Sequence, residues 1–357
     1  MTSPSKRRAH VVGLGLIGAS VAMALTAAGW TVTGEDLDEQ TVQSALDAGI
    51  IAAGELTEDH DLVVVATPAG SVAEIVNATL SMISNPEIIV TDVAGVKSAI
   101  VDSVSDPRFL GGHPMAGSEL RGLKGARADL FQGCNWVLTP TDATQPLVYS
   151  TLHGILREIG ANVVAVSAED HDRLVALASH VPHLLAGALM NEAAEAAEQD
   201  AVLLQLAAGG FRDMTRIAAG DPAIWPDILF ENRAAITQTL EALEARLEQL
   251  RLALDSGGRT TVERSLRTAS EARRLLPGRA LSSENLSYIR VVISDQPGSL
   301  ATVTKAASEL LINIYDIEIS HGIEGVGGTL LLAVDAQQAD TLRDALEELE
   351  FKVAREK

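Results

Sequence analysis

The residues in this 357-residue chain best suited to chemistry are histidines set among glycines and prolines. His113 lies in Gly111-Gly112-His113-Pro114-Met115-Ala116-Gly117-Ser118-Glu119. Glycines before it and a proline after it read as a loop, not the interior of a helix or strand. A histidine exposed on a loop can take a proton near neutral pH, as when an alcohol becomes a carbonyl. A second pair, His180 and His183, stands three residues apart in Ser179-His180-Val181-Pro182-His183. The spacing puts both rings on one helical face beside a proline that should disturb the helix. By themselves the two read as core or surface histidines. The His-x-x-His spacing also raises a metal, but no matching third ligand accompanies it, and none is expected.

The second chemical signature is Gly13-Leu14-Gly15-Leu16-Ile17-Gly18, a G-x-G-x-x-G run at the end of one apolar strand and the start of a helix. Gly13 would allow the tight turn, Gly15 the approach of backbone to a pyrophosphate, and Gly18 close helix packing. The helix N-terminus then offers unpaired N–H groups to the phosphates. Glu35-Asp36 follows the next strand, where Asp36 can bind ribose hydroxyls and repel a 2′-phosphate, or stand as a plain solvated carboxylate. No Arg or Lys lies between Asp36 and Gln40, so NAD is expected over NADP. Thr67-Pro68 closes a third strand at the same edge, as a cofactor contact or a simple strand terminator.

These residues need a scaffold, and three patterns supply it. Apolar runs at Ala9–Gly13, Thr31–Gly34, Leu62–Ala66, Ile88–Asp92, Asn135–Thr139 and Asn162–Val166 alternate with helical stretches. That is the mark of a parallel α/β sheet, here of Rossmann type, over residues 1–167. From 168 to 281 the sequence is Ala/Leu-rich and helical. Leu240, Leu243, Leu247, Leu250 and Leu254 form a heptad-like stripe there, for a packed core helix or a dimer. Residues 286–357 then read β-α-β-β-α with a short last strand near 351–353, a ferredoxin-like α+β order.

With 47% hydrophobic and 21% charged residues the chain is globular rather than disordered. A formal charge of −21 argues against nucleic acid or an anionic membrane as partner, so an anionic substrate needs local cations. Cys134 is the single cysteine, which excludes an internal disulfide and suggests a reducing compartment. No uncharged apolar run reaches the roughly 18–20 residues that cross a bilayer. The short basic start leaves no room for a cleaved signal peptide, so a cytoplasmic location is expected.

Several strings resemble one family. His113-Pro114-Met115-Ala116-Gly117-Ser118-Glu119 is similar to the active-site loop of prephenate dehydrogenases, and Ser179 to His183 resembles their paired-histidine helix. Gly209-Gly210-Phe211-Arg212-Asp213-Met214-Thr215-Arg216 and Asp221-Pro222-Ala223-Ile224-Trp225-Pro226 follow in the family's order. The resemblance implies NAD-dependent oxidative decarboxylation of prephenate to 4-hydroxyphenylpyruvate, on the route to tyrosine. It implies that His113 takes the ring-hydroxyl proton, that Arg216 binds a substrate carboxylate with Asp213 orienting it, and that His183, and His180 less directly, meet the substrate. Ser118 and Glu119 belong to the same loop, with Glu119 gating or polarising the site, and Trp225 resembles a residue that reaches it, from a partner subunit in a homodimer. Asp295-Gln296-Pro297-Gly298 and Asn313-Ile314 resemble an ACT domain, which implies regulation by an aromatic amino acid.

The chain departs from the family at Gly95 in Asp92-Val93-Ala94-Gly95-Val96-Lys97, where a serine is usual. It departs again at Leu120-Arg121-Gly122. Gly95 keeps arogenate and 4-amino-4-deoxyprephenate open as substrates. It also keeps open a non-catalytic sensor of NAD and amino acids. β-Hydroxyacid dehydrogenases and imine reductases share the overall plan but usually rely on a helical lysine, and no comparable motif stands out.

Overall fold

The valine-rich runs of the first half become strands buried on both faces, as a sheet covered by helices on each side requires. The computed structural model describes residues 7–117, 120, 122–200, 202–203, 206–274, 286–294, 296–321 and 328–356. Strands β1 (Arg8–Val12), β2 (Thr31–Glu35), β3 (Leu62–Val65), β4 (Ile89–Asp92), β5 (Phe109–Pro114), β6 (Asn135–Thr139) and β7 (Asn162–Ala165) form one sheet. Their order is β2-β1-β3-β4-β5-β6-β7. Every neighbouring pair is parallel except β5 and β6. The order reverses around β1, and the crevice beyond the C-terminal ends of β1 and β3 is where such sheets take ligands.

Strand β5 corrects the sequence expectation of a loop around His113. Its glycines serve contact, not turning. A Cβ on Gly111 would sit 2.5 Å from Thr139 Oγ1, and one on Gly112 2.8 Å from the Asp92 carbonyl oxygen. Glycine inside a strand marks such close approaches. His113 pairs with Val137 and Pro114 with Trp136 in the antiparallel β5–β6 ladder.

Helices α1 (Leu16–Ala27), α2 (Glu39–Asp47) and α5 (Pro146–Glu158) cover one face of the sheet through Ala19, Leu25, Ala45, Leu152 and Leu156. Helices α3 (Ala69–Met82) and α4 (Ser98–Ser103) cover the other through Val72, Val76, Leu80 and Ile100. Each such side chain, fully buried, contributes about 1.5–3 kcal/mol, less for alanine. Cys134 packs half-buried against the first face.

Beyond β7 the chain is helical. Ser167 caps α6 (Ala168–Val175) by accepting from the Asp170 N–H, with Glu169 and Asp170 in the first turn. The run continues through a wide turn, Ala176–His180, into α7 (Val181–Gln199). In that turn the Val181 N–H reaches back five residues to the Ala176 carbonyl, which absorbs the disturbance expected from Pro182 without ending the helix. Helices α8 (Gly209–Thr215), α9 (Trp225–Glu231), α10 (Arg233–Asp255) and α11 (Arg259–Arg274) follow. The leucine stripe of α10 splits. Ile236, Leu240 and Leu243 pack on Ala176, Val181 and Leu184, whereas Leu247 and Leu254 are exposed.

The sequence holds no uncharged apolar run of membrane-spanning length, but the continuous helix 168–199 is long and apolar enough to cross a membrane by length and composition alone, with a mean hydropathy of 1.3.

By compactness the chain divides into units 1–244 and 245–357. The second unit holds an antiparallel sheet of β8 (Leu286–Ile293), β9 (Ile314–His321), β10 (Gly328–Asp335) and β11 (Lys352–Glu356), in the order β11-β8-β10-β9. Helices α12 (Ser299–Glu309) and α13 (Ala339–Glu348) close a core of Ile289, Val291, Val303, Leu330, Leu332, Leu342 and Leu346. This is the ferredoxin-like order read from the sequence.

Candidate active site

The glycine loop fits a dinucleotide cradle by its own geometry. Gly13 has φ +91°, and a Cβ there would lie 2.6 Å from the Ala66 carbonyl oxygen. A Cβ on Gly18 would meet the Gly13 carbonyl oxygen at 1.9 Å. Gly15 is exposed, with nothing within 4 Å of a Cβ position. It caps α1, and no side chain satisfies the first N–H groups of that helix, which leaves them for an anion. The Asp36 carboxylate is fixed at the rim, accepting the Leu14 N–H at 2.7 Å and the Asp38 N–H at 3.0 Å.

Of the other residues read as cofactor contacts, Leu14 places its side chain in the core, and Leu16 and Ile17 are half-buried at the start of α1. Thr67 lies beside Gly13, its methyl carbon 3.2 Å from that glycine's Cβ position, and Pro68 opens α3. Leu37, wholly exposed, follows Asp36.

His113 is half-buried at the C-terminal end of β5. Its Nδ1 is 2.8 Å from Nε2 of His171 on α6. His171 Nδ1 is in turn 2.8 Å from Asp172 Oδ1. That carboxylate accepts two backbone N–H groups at the start of α4, from Lys97 at 2.8 Å on Oδ1 and from Ser98 at 2.8 Å on Oδ2. Beneath them, the fully buried Lys97 ammonium pairs with the fully buried Asp92 carboxylate. Asp92 also accepts the Gly112 N–H at 3.1 Å, so the same carboxylate holds the strand that carries His113.

The electrostatics follow from this packing. Burial, then His171, Lys97 and His180, hold His113 well below the ordinary histidine range, against the opposite pull of Asp172. Burial raises Asp172, but hydrogen bonds from His171, Ser98 and Lys97 outweigh it and keep the carboxyl below its usual value. Burial lowers Lys97 in spite of Asp92.

His180 and His183 part company. His180 is buried, and its Nδ1 lies 3.2 Å from Nδ2 of Asn232, which also donates to the Asp172 carbonyl at 2.8 Å. Burial takes its pKa down to about 4. His183 stacks on Trp225, ring centres 3.6 Å apart and 14° from parallel. Gly220 fits against both, its Cβ position 3.4 Å from His183 and 3.8 Å from Trp225. In this chain Trp225 therefore meets its own subunit's His183.

Arg216 is exposed, without an ion pair among the described residues. Asp213, also exposed, makes no ion pair with it, because α8 gives way to a 3-10 turn at Arg216. Ser118, Glu119 and Arg121 lie outside the described residues.

The sequence reading gave no role to His171, Asp172 or Asn232. A signal was present for the first two. Both stand one turn before Val175 and Ala176 on the buried face of α6, where a titratable pair is out of place unless hydrogen-bonded.

Comparison with known proteins gives one answer along most of the chain. The family model for the nucleotide-binding domain of prephenate dehydrogenase matches residues 21–165, and that for its dimerization domain matches 167–268. A prephenate dehydrogenase of Bacillus subtilis (strain 168) is 29% identical, over 95% of this chain and 96% of its own. The crystal structure of the Aquifex aeolicus prephenate dehydrogenase in complex with hydroxyphenyl propionate and NAD+ is similar with a TM-score of 0.70 at 30% identity, over 76% of this chain and 99% of that one. The Synechocystis arogenate dehydrogenase gives a TM-score of 0.66 at 31% identity, over 74% of this chain and 98% of that one.

Proposed function

Given that the chain belongs to the prephenate dehydrogenase family, we propose that it oxidises prephenate with NAD, releasing carbon dioxide and 4-hydroxyphenylpyruvate. The observation that carries this reading is His113. One of its ring nitrogens is tied to His171, and the other lies 3.6 Å from the Cβ position of Gly95. His113 takes the proton of the ring hydroxyl as the carbonyl forms; the carboxylate on the opposite ring carbon then leaves as carbon dioxide, its bonding pair passing through the ring double bonds to that carbonyl as the ring becomes aromatic. Its lowered basicity keeps it neutral, and therefore able to accept, at physiological pH.

Gly13, Gly15, Gly18 and the uncapped start of α1 hold the cofactor's pyrophosphate, Asp36 its adenosine ribose, and Thr67 and Pro68 line the same edge. When bound, NAD supplies the hydride acceptor. Arg216, exposed and without a described ion pair, takes a substrate carboxylate, and the His183–Trp225 stack forms an apolar wall. Asp213, exposed on α8, adds to the polar groups near Arg216.

The domain division we assign is 1–167 for the cofactor, 168–281 for substrate and dimer formation, and 286–357 for regulation. Exposed Leu174, Leu177, Leu185, Phe230, Leu247 and Leu254 support burial of the helical segment in a homodimer. The ferredoxin-like order of the last segment, with Gly298 at φ +99° opening α12, supports an ACT domain that binds an aromatic amino acid. Titration calorimetry with tyrosine, phenylalanine and tryptophan tests that assignment, and silence from all three, with unchanged kinetics, removes it. Work in the cytoplasm follows from the family's biosynthetic role.

The deciding experiment follows NADH at 340 nm with prephenate, arogenate and 4-amino-4-deoxyprephenate in parallel. Fastest turnover of prephenate is expected. Preference for an amino-bearing substrate reassigns the side-chain specificity, and no turnover of any, with NAD bound, replaces the enzyme by a sensor.

A further inference from the structure

Resting on the reading of His113 as proton acceptor, we infer that His171 and Asp172 are positioning residues that hold His113 in the one tautomer able to act. The argument follows the donors. An ionised carboxylate only accepts, so the 2.8 Å contact between Asp172 Oδ1 and His171 Nδ1 places a hydrogen on His171 Nδ1. A neutral imidazole carries one N–H, which leaves His171 Nε2 as a lone pair. The 2.8 Å contact from that atom to His113 Nδ1 then places the His113 hydrogen on Nδ1. His113 Nε2 is left with its lone pair free, and it is the atom of that ring nearest to the Cβ position of Gly95, at 3.6 Å.

Geometry keeps the relay from turning. Asp172 is pinned by the Lys97 and Ser98 N–H groups while it accepts from His171. His171 is wholly buried, and its ring meets His113 edge to face with centres 5.0 Å apart. Among the described residues, the bond to His171 is the single side-chain hydrogen bond of His113. With glycine at position 95 no hydroxyl at that point can orient the ring, so the burden falls on His171 and Asp172. The charged and titratable groups that face His113 are His171, Lys97, His180 and Asp172.

The tautomer is read directly by long-range proton–nitrogen NMR on full-length protein with 15N-labelled histidines, the His113 signals being assigned by their loss in His113→Asn. The expected wild-type state is a hydrogen on Nδ1 and a bare Nε2. Asp172→Ala removes the acceptor from His171 Nδ1, so both rings can reverse and the His113 hydrogen should populate Nε2. In that variant kcat should fall by about 10²-fold or more, with KM for both substrates within about threefold. His171→Phe should show the same loss. His171→Gln, whose Oε1 can accept from Nδ1, should recover at least about tenfold relative to His171→Phe. A wild-type His113 with its hydrogen on Nε2 overturns the inference, as does an Asp172→Ala enzyme with unchanged kcat. If no substrate turns over, the functional reading fails, while the wild-type tautomer still decides the relay.

Discussion

Replacing Lys97 by methionine isolates the buried ion pair beneath the site. Both side chains of the Asp92–Lys97 pair have no solvent exposure. Methionine fills most of the lysine's volume but leaves the Asp92 carboxylate in the interior without its counter-charge. Removing one partner of such a pair costs about 3–5 kcal/mol. For a folding unit of this size about 2–4 °C is lost per kcal/mol, so the melting temperature should fall by roughly 6–20 °C. Asp92 would keep its bonds from the Ala94 and Gly112 N–H groups. The double variant Asp92→Asn/Lys97→Met, which removes the stranded charge and retains an amide oxygen for one of them, should therefore melt above Lys97→Met alone. Differential scanning calorimetry of the full-length protein at neutral pH makes the comparison. A loss below about 1 kcal/mol for Lys97→Met, the scale of an exposed pair, would refute the reasoning.

Three further outcomes are expected. The first concerns acid stability: burial, with help from His60, takes His10 from 6.5 down to about 4 in the fold. The folded state therefore refuses a proton that the unfolded chain takes. This stability is complete above pH 6.5 and is lost as pH falls towards 4, by about 3 kcal/mol at 1.36 kcal/mol per unit. His10→Gln should flatten the fall in melting temperature over that window, and an unchanged slope would discount His10. The second concerns Asp36→Ala, which should weaken NAD binding by about tenfold, the scale of a hydrogen bond to a charged group, and narrow the preference over NADP. Fluorescence titration of both cofactors checks this. The third concerns Gly95→Ser, which adds a Cβ in ordinary contact with His113, 3.6 Å from Nε2 and 3.8 Å from Cε1. It should fold normally and raise kcat/KM about 2–10-fold through one added hydrogen bond. A drop would mean that the substrate needs the space.

How much of this was legible in the sequence depends on the range of the interaction that decides each feature. The glycine loop was legible because Gly13, Gly15 and Gly18 meet local backbone demands within six residues. The last unit was legible because alternating apolar residues such as Ile289, Val291 and Ile293 declare their buried face directly. Strand β5 was not. Its Gly111 and Gly112 answer to Thr139 and Asp92, residues on neighbouring strands, and a reader of local pattern sees only turn formers. His171 and Asp172 escaped for the same reason, since their partners, His113 and the N–H groups of Lys97 and Ser98, are 58 to 75 residues away. The spacing of His180 and His183 was visible, but the wide turn before Pro182 was not, and one ring faces Asn232 while the other faces Trp225.

The anchoring of Asp172 by main-chain amides makes its two sides unequal under mutation. The donors at positions 97 and 98 belong to the backbone, so no side-chain change there removes them except proline, which has no N–H. The acceptor is a single carboxylate with no such redundancy. Among functional variants from a saturation library, the Asp172 bond should therefore survive wide drift at Ser98, while position 172 itself should tolerate almost none. An ancestral or chimeric enzyme could exchange its whole cofactor-binding half at the 167/168 junction and recover this joint intact, provided that the helical half brings the aspartate.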